Sequence, residues 1–103
     1  MGAAELNQYL QTAQSAPLLI DVREPWEHER CLIQNSVLIP MNTIPQRMGD
    51  LDRDRETVVI CHHGIRSRSV AHYLVHNNFS QVINLSGGID AWAKEVDSSM
   101  ATY

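Results

Sequence analysis

Cysteine is scarce: the chain has two, Cys31 and Cys61. That is too few for a disulfide framework, which excludes a small disulfide-held scaffold. Positive charge is scarce as well. Eight Lys and Arg stand against twelve Asp and Glu, a formal net charge of −4. This balance argues against a general affinity for nucleic acid. No apolar run approaches the roughly 20 residues of a membrane-spanning helix. No signal-peptide pattern opens the sequence, and Leu6 stands where a myristoylation motif after Met1-Gly2 wants Ser or Thr. Repeats, low-complexity tracts and linkers are missing too. These absences leave one domain, residues 1–103, apolar over 44% of its positions and expected in the cytoplasm.

A local absence says more. No Asp or Glu occurs between Glu56 and Asp90, an interval that holds Cys61, His62, His63, Arg66, Arg68, His72 and His76. A neutral-to-basic segment inside an acidic protein provides a field suited to a small anionic substrate. Its centre is Val58-Val59-Ile60-Cys61-His62-His63-Gly64-Ile65-Arg66-Ser67. β-Branched residues run into a cysteine, a short loop with one glycine follows, and apolar residues at helical spacing come next. This reads as strand, tight loop, helix N-terminus. Backbone N–H groups and the positive end of a helix then converge on the thiol, and such a place stabilises an anion. The nearest anion is the Cys61 thiolate itself. Gly64 supplies the residue free to take positive φ.

Cys61-His62-His63-Gly64-Ile65-Arg66-Ser67 resembles the active-site loop of the rhodanese (sulfurtransferase) family. Leu19-Ile20-Asp21-Val22-Arg23-Glu24 resembles that family's Asp-Val-Arg strand end. Leu85-Ser86-Gly87-Gly88-Ile89-Asp90-Ala91-Trp92 resembles its closing Gly-Gly-helix motif. The resemblance spans nearly the whole chain. It implies a rhodanese-like α/β fold, a mainly parallel sheet with helices on both faces. It also implies a catalytic Cys61, a binding loop of His62, His63, Gly64, Ile65, Arg66 and Ser67, and bracing of the loop by Asp21 and Arg23. No cofactor and no metal is implied. The implied partners are a small anionic sulfur donor and a cyanide or thiol acceptor, a protein thiol included. Cys31-Leu32 and Asn35-Ser36 depart from the family's usual Gly-His and Gly-Ala, although Asn35 can adopt the left-handed backbone of a glycine.

The remaining chain alternates helices and strands, the pattern of a parallel α/β sheet. Ala3 to Ala13 reads as an amphipathic helix with Leu6, Leu10 and Ala13 inward. Leu18 to Val22 reads as a strand buried on both faces, and Pro25 as the first turn of a short helix. Val37 to Ile39 is a strand. Asn42 or Thr43 caps a helix running to Leu51 with Ile44, Met48 and Leu51 inward. Residues 50–56 form a charged, solvated connection with local ion pairs. Thr57 to Ile60 feeds Cys61, and Ser67 to Asn78 is the helix leaving it, closed by a left-handed Asn. Val82 to Leu85 is a strand, and a last helix carries Ile89, Trp92 and Val96. The tail, Ser98 to Tyr103, is expected to lie on the surface or fray.

Alternatives stand beside several residues. A cation in the first turn opposes the helix dipole, so Arg66 points to an anion rather than to a solvated role. His62 and His63 are adjacent and no second cluster completes a metal set. His72 and His76 read as a solvated helix face. Asp21 and Arg23 can also form a local ion pair. Cys31 is a small apolar filler or, if near Cys61, a thiol that resolves a persulfide.

Three functions fit. One is sulfur transfer through a Cys61 persulfide. Another is a cysteine phosphatase or arsenate reductase of the same fold. The last is a binding module without chemistry, although inactive rhodanese-like domains commonly lack the cysteine. Loop length separates the first two. Phosphatase loops place five residues between Cys and Arg; here four intervene, His62 to Ile65. A tighter cradle suits a sulfur atom better than a phosphoryl group.

Overall fold

The computed structural model describes residues 1–103. Its strands are β1 (Leu18–Asp21), β2 (Val37–Leu38), β3 (Thr57–Ile60) and β4 (Val82–Asn84). They form one sheet in the order β2-β1-β3-β4, every neighbouring pair parallel. Between them lie α1 (Ala3–Thr12), α2 (Pro25–Arg30), α3 (Ile44–Arg47), α4 (Ile65–His76) and α5 (Gly88–Glu95).

Side chains alternate across a strand, so the sheet feeds two cores. On one face Leu19, Val58 and Ile60 pack with Ala3 and Leu6 of α1 and with Ile89 and Trp92 of α5. On the other, Ile20, Val22, Val59 and Cys61 pack with Ile44 of α3 and with Val70 and Leu74 of α4. Helices therefore cover both faces, and β3 is buried at all four positions. Its continuous Thr-Val-Val-Ile run is what a doubly covered parallel strand requires. Cys31 joins the core of the α1–α5 face and Cys61 the other. The two cysteines thus lie in separate cores.

Both expected left-handed asparagines are present: Asn35 has φ 71°, turning the segment that departs from the family pattern, and Asn78 has φ 71° after α4. Two expectations need correction. The helix expected from residue 42 to 51 is split into a 3-10 turn (Met41–Thr43), the single-turn α3 and a second 3-10 turn (Met48–Asp50). No side chain caps α3; the Thr43 hydroxyl instead donates to Pro40 O at 2.8 Å. Ile44 is fully buried whereas Met48 and Leu51 are only half-buried. One anchored residue does not sustain a longer amphipathic helix.

The charged connection makes no ion pair of its own. Arg53 instead donates from Nε to Asn77 O at 2.9 Å and lies over the Phe79 ring. Tyr9 Oη donates to Glu56 Oε1. Of the two alternatives for the tail, it lies along the surface, with Tyr103 half-buried and turned back toward the site.

Candidate active site

Cys61 follows β3 directly, at the carboxyl end of the sheet, where ligands of open parallel sheets bind. Cys61 is 1% exposed. Gly64 N–H donates to its Sγ at 3.1 Å, and the thiol donates to Ser67 Oγ at 3.2 Å. Gly64 caps α4 with φ 97°, and its own Cβ position lies 3.2 Å from Gly87 N, so a side chain there would be both strained and crowded. That left-handed residue starts α4 at Ile65, two residues earlier than expected. The N–H groups of Ile65 and Arg66 therefore belong to the first turn, where no intrahelical acceptor exists.

The Gly87-Gly88 turn explains why the loop faces inward. Ile89 N–H donates to Cys61 O at 2.8 Å and Asp90 N–H to His62 O at 3.0 Å. The first turn of α5 thus engages the carbonyls of Cys61 and His62, while Gly64 N–H points at the sulfur. Such close approach needs a bare Cα: a Cβ on Gly88 would sit 2.4 Å from Cys61 O.

Asp21 and Arg23 are both fully buried. Arg23 donates to Asp21 from Nε at 2.9 Å and from Nη2 at 2.6 Å. Nη2 also reaches Cys31 O at 2.6 Å, and Nη1 reaches Glu27 O at 3.2 Å and Tyr103 Oη at 2.9 Å. Every N–H of the guanidinium is engaged, which is the condition for burying such a charge. Arg23 thus braces α2, the chain at Cys31 and the tail; it makes no hydrogen bond to the Cys61 loop.

The connection to that loop runs through Glu27 and Tyr103, neither of which the sequence reading singled out. Glu27 holds Arg66 in a two-pronged ion pair at 2.7 and 2.8 Å. Arg66, with a hydrogen bond from Tyr103, outweighs the opposing effect of burial and leaves the Glu27 carboxyl depressed to about 2. The Arg66 fork is therefore turned onto Glu27 rather than onto the sulfur, and its side chain is 34% exposed. Tyr103 Oη donates to Glu27 Oε2 at 2.6 Å, and its ring stacks on His62 with centroids 4.0 Å apart. Burial and the neighbouring Glu27 push the Tyr103 hydroxyl up to about 12, so it stays a donor. Burial and His63 lower His62, which favours the neutral ring.

One sequence signal pointed to Glu27. Glu24-Pro25-Trp26-Glu27 is a helix start whose acid at the third position reaches back to the cap, and Glu27 Oε1 accepts Glu24 N–H at 3.0 Å. Tyr103 had no such signal, because a lone Tyr in a polar tail has no periodicity. Asn84, at the end of β4, was missed for the same reason; it accepts from Ser67 Oγ at 2.5 Å.

His62, His63 and Asp90 offer ligand atoms within 4.8 Å of one another. The two rings, however, are stacked 4.0 Å apart and only 24° from parallel. An ion bound by imidazole lies in the ring plane, and these two planes do not meet within coordination distance. Asp90 is already paired with Lys94 at 3.0 Å. His63 and Ile65 are exposed at the mouth of the loop, and His72 and His76 face solvent on α4.

A buried cysteine after the central strand of a parallel sheet, its loop closed by two helix N-termini, defines a cysteine-loop α/β protein. The comparisons make that class specific. The rhodanese-like domain model matches residues 2–95, and the chain belongs to that family. A sulfurtransferase of Allochromatium vinosum is 40% identical over 77 residues, covering 75% of this chain and 72% of that one. The thiosulfate sulfurtransferase GlpE of Pseudomonas syringae is 39% identical over 75 residues, 73% of this chain and 71% of that one. Among solved structures, a rhodanese-like domain protein of Staphylococcus aureus superposes with a TM-score of 0.85 at 29% identity, covering 100% of this chain and 96% of that one. A rhodanese-related protein of Thermoplasma volcanium gives 0.83 at 32% identity, over 93% and 91%. No helix is long and apolar enough to cross a membrane.

Proposed function

We propose that this protein is a cytoplasmic sulfurtransferase that carries sulfur on Cys61. The observation that carries the reading is the sulfur's setting: Gly64 N–H at 3.1 Å, Ser67 beside it, and the Cys61 and His62 carbonyls engaged by α5. Fixed dipoles of this kind stabilise a developing anion without having to reorganise. The thiolate attacks the outer sulfur of a small anionic donor such as thiosulfate. A new S–S bond forms, the donor's S–S bond breaks, and its electron pair leaves with sulfite. A nucleophile, cyanide or a thiol (a protein thiol included), then attacks the outer persulfide sulfur and releases the Cys61 thiolate. No cofactor enters the balance.

Each loop residue has a part in this reading. Gly64 and Ser67 hold the sulfur. His62, backed by Tyr103, walls it on one side. His63, Ile65 and the exposed edge of Arg66 meet the incoming donor. Asp21 and Arg23 support the frame at a distance. The sulfurtransferase names of the relatives support the reaction class. The loop of four residues between Cys61 and Arg66 supports sulfur over a phosphoryl group.

Intact mass after brief incubation with thiosulfate tests the reading. The expected result is a gain of one sulfur that cyanide removes. Cys61→Ser abolishes the gain and Cys31→Ser keeps most of it. An unchanged mass in the parent protein, or equal loss in Cys31→Ser, overturns it. Hydrolysis of a small aryl phosphate would favour the phosphatase reading instead.

A further inference from the structure

Ser67 is fully buried, and its hydroxyl lies between the Cys61 sulfur at 3.2 Å and Asn84 Oδ1 at 2.5 Å. A hydroxyl has one proton to give. Its direction is decided at the far end of this chain of hydrogen bonds. Asn84 Nδ2 donates to Gly64 O at 3.3 Å. Turning the amide over would set its oxygen against that carbonyl, so Nδ2 keeps to Gly64 and Oδ1 keeps to Ser67. With its proton on Oδ1, Ser67 presents only lone pairs to Cys61. The sulfur in that arrangement is a donor, a protonated thiol.

We propose that Asn84 is a positioning residue that sets the direction of the Ser67 hydroxyl and so holds resting Cys61 as a thiol. When the thiol gives its proton to solvent, Ser67 rotates about Cβ–Oγ and donates to the sulfur instead. The cost is the hydrogen bond to Asn84, whose Oδ1 is left without its donor. Proton loss and hydroxyl rotation therefore occur together. The same hydroxyl serves the thiol as acceptor and the thiolate as donor, with Asn84 opposing the second state. The inference concerns the sulfur assigned above to transfer, but its test needs no sulfur donor, so either can fail alone.

Other charged and titratable groups surround the loop and must stay constant. His62 and His63 lie in its loop, Arg66 on α4, Asp90 on α5 and Glu27 on α2. The Asp21–Arg23 pair ends β1. Nearest to Asn84 itself are the Met1 ammonium, 3.3 Å from its backbone O, and Arg68 and His72 of α4, which line a shallow pocket with it; all of these side chains keep their identity in the Asn84 and Ser67 variants.

The experiment follows the ultraviolet absorbance of the thiolate and its alkylation by iodoacetamide against pH, in a Cys31→Ser background. Asn84→Ala frees the hydroxyl for the sulfur. It should move the thiolate midpoint to lower pH and speed alkylation at neutral pH by about three- to tenfold, the effect of one competing hydrogen bond. Asn84→Asp, with a stronger acceptor and a negative charge, should move both the other way. In a Ser67→Ala background, Asn84→Ala should leave the midpoint unchanged. A purely structural role would impair both Asn84 variants alike. A midpoint that fails to fall in Asn84→Ala, or that still falls without Ser67, overturns the proposal. Thermal melts of each variant check that the fold is retained, and a midpoint read from absorbance does not depend on how easily the reagent reaches the sulfur.

Discussion

At the carboxyl end of β1, two arginines and two carboxylates meet: Asp21 with Arg23, and Glu27 with Arg66. At the carboxyl end of β3, one strand over, the Cys61 sulfur meets only neutral partners, Gly64 N–H and the Ser67 hydroxyl. The charges of the first region are saturated by one another. The second works with dipoles held in place by the backbone. A free cation beside the sulfur would draw solvent and move with its own side chain. Amides fixed by a left-handed glycine and two helix N-termini do neither. The charged cluster thus acts as a clamp on α2, the tail and Arg66, while the neutral loop forms the cradle. Tyr103, hydrogen-bonded in the clamp and stacked on His62, joins the two.

The sharpest way to break the contrast is Gly88→Ala. The added methyl would meet the carbonyls of Cys61 and His62 at 2.4 and 2.5 Å, and Gly88 has φ 59°. Overpacking against backbone and left-handed strain together should remove about 3–5 kcal/mol. Sulfur uptake should disappear even where the variant still folds. Urea unfolding and intact mass measure the two effects, and an active, stable variant would show that the cradle does not depend on α5.

Next comes the clamp. Glu27→Ala leaves Arg66, Tyr103 Oη and Glu24 N–H without their acceptor and should cost about 3 kcal/mol. Arg66→Ala removes the partly exposed member and should cost about 1–2 kcal/mol, with a larger fractional effect on turnover with thiosulfate than on stability. The double variant should show coupling of at least about 1 kcal/mol in unfolding. Additive costs would mean that the two side chains act independently and that the clamp is not a unit.

The clamp also predicts an acid limit. Glu27 is held at about 2, below its unfolded value, so its charge stabilises the fold above the ordinary carboxylate range. That contribution is lost as pH falls through roughly 4.5 toward 2. His62, lowered by burial and by His63, has the same sign: protonation favours the unfolded chain as pH drops below the usual imidazole range. Glu27→Gln should flatten the acid limb of stability against pH. An unchanged limb would assign it to other carboxylates.

Tyr103→Phe should have the smallest effect. It removes the hydroxyl shared by Arg23 and Glu27 but keeps the stack on His62, so a loss of about 0.5–1 kcal/mol is expected. Tyr103→Ala removes both, and its excess cost measures the link between clamp and cradle. Equal melting of the two variants would show that the stack contributes nothing.

The order of strands and helices was legible from residue pattern, because each strand is a short, mostly apolar run and every helix start but that of α3 has a glycine or a capping Glu. Asn35, Gly64 and Asn78 were legible for the same reason: left-handed backbone selects a narrow set of residues. The residues 41–51 misled, since Ile44, Met48 and Leu51 have helical spacing yet only Ile44 is fully buried. Cys61, Gly64 and Ser67 were singled out by their place in a strand–loop–helix pattern, and the structure sets them within hydrogen-bond reach of one another. Arg66 was singled out for an anion, and the carboxylate its fork meets in the structure is Glu27.

What the sequence alone determined is local: element type, the turn glycines and the presence of a cysteine where amides converge. These follow from φ preferences and apolar spacing within a few residues. What only tertiary structure decided is the pairing of charges and protons across distance. Arg66 meets Glu27 39 positions away, and Arg23 meets Tyr103 80 positions away. Ser67 meets Asn84 17 positions on. Each of these contacts has several chemically equivalent candidates in the chain. The choice among them is made by which strand ends the parallel sheet brings side by side, and no spacing rule encodes that.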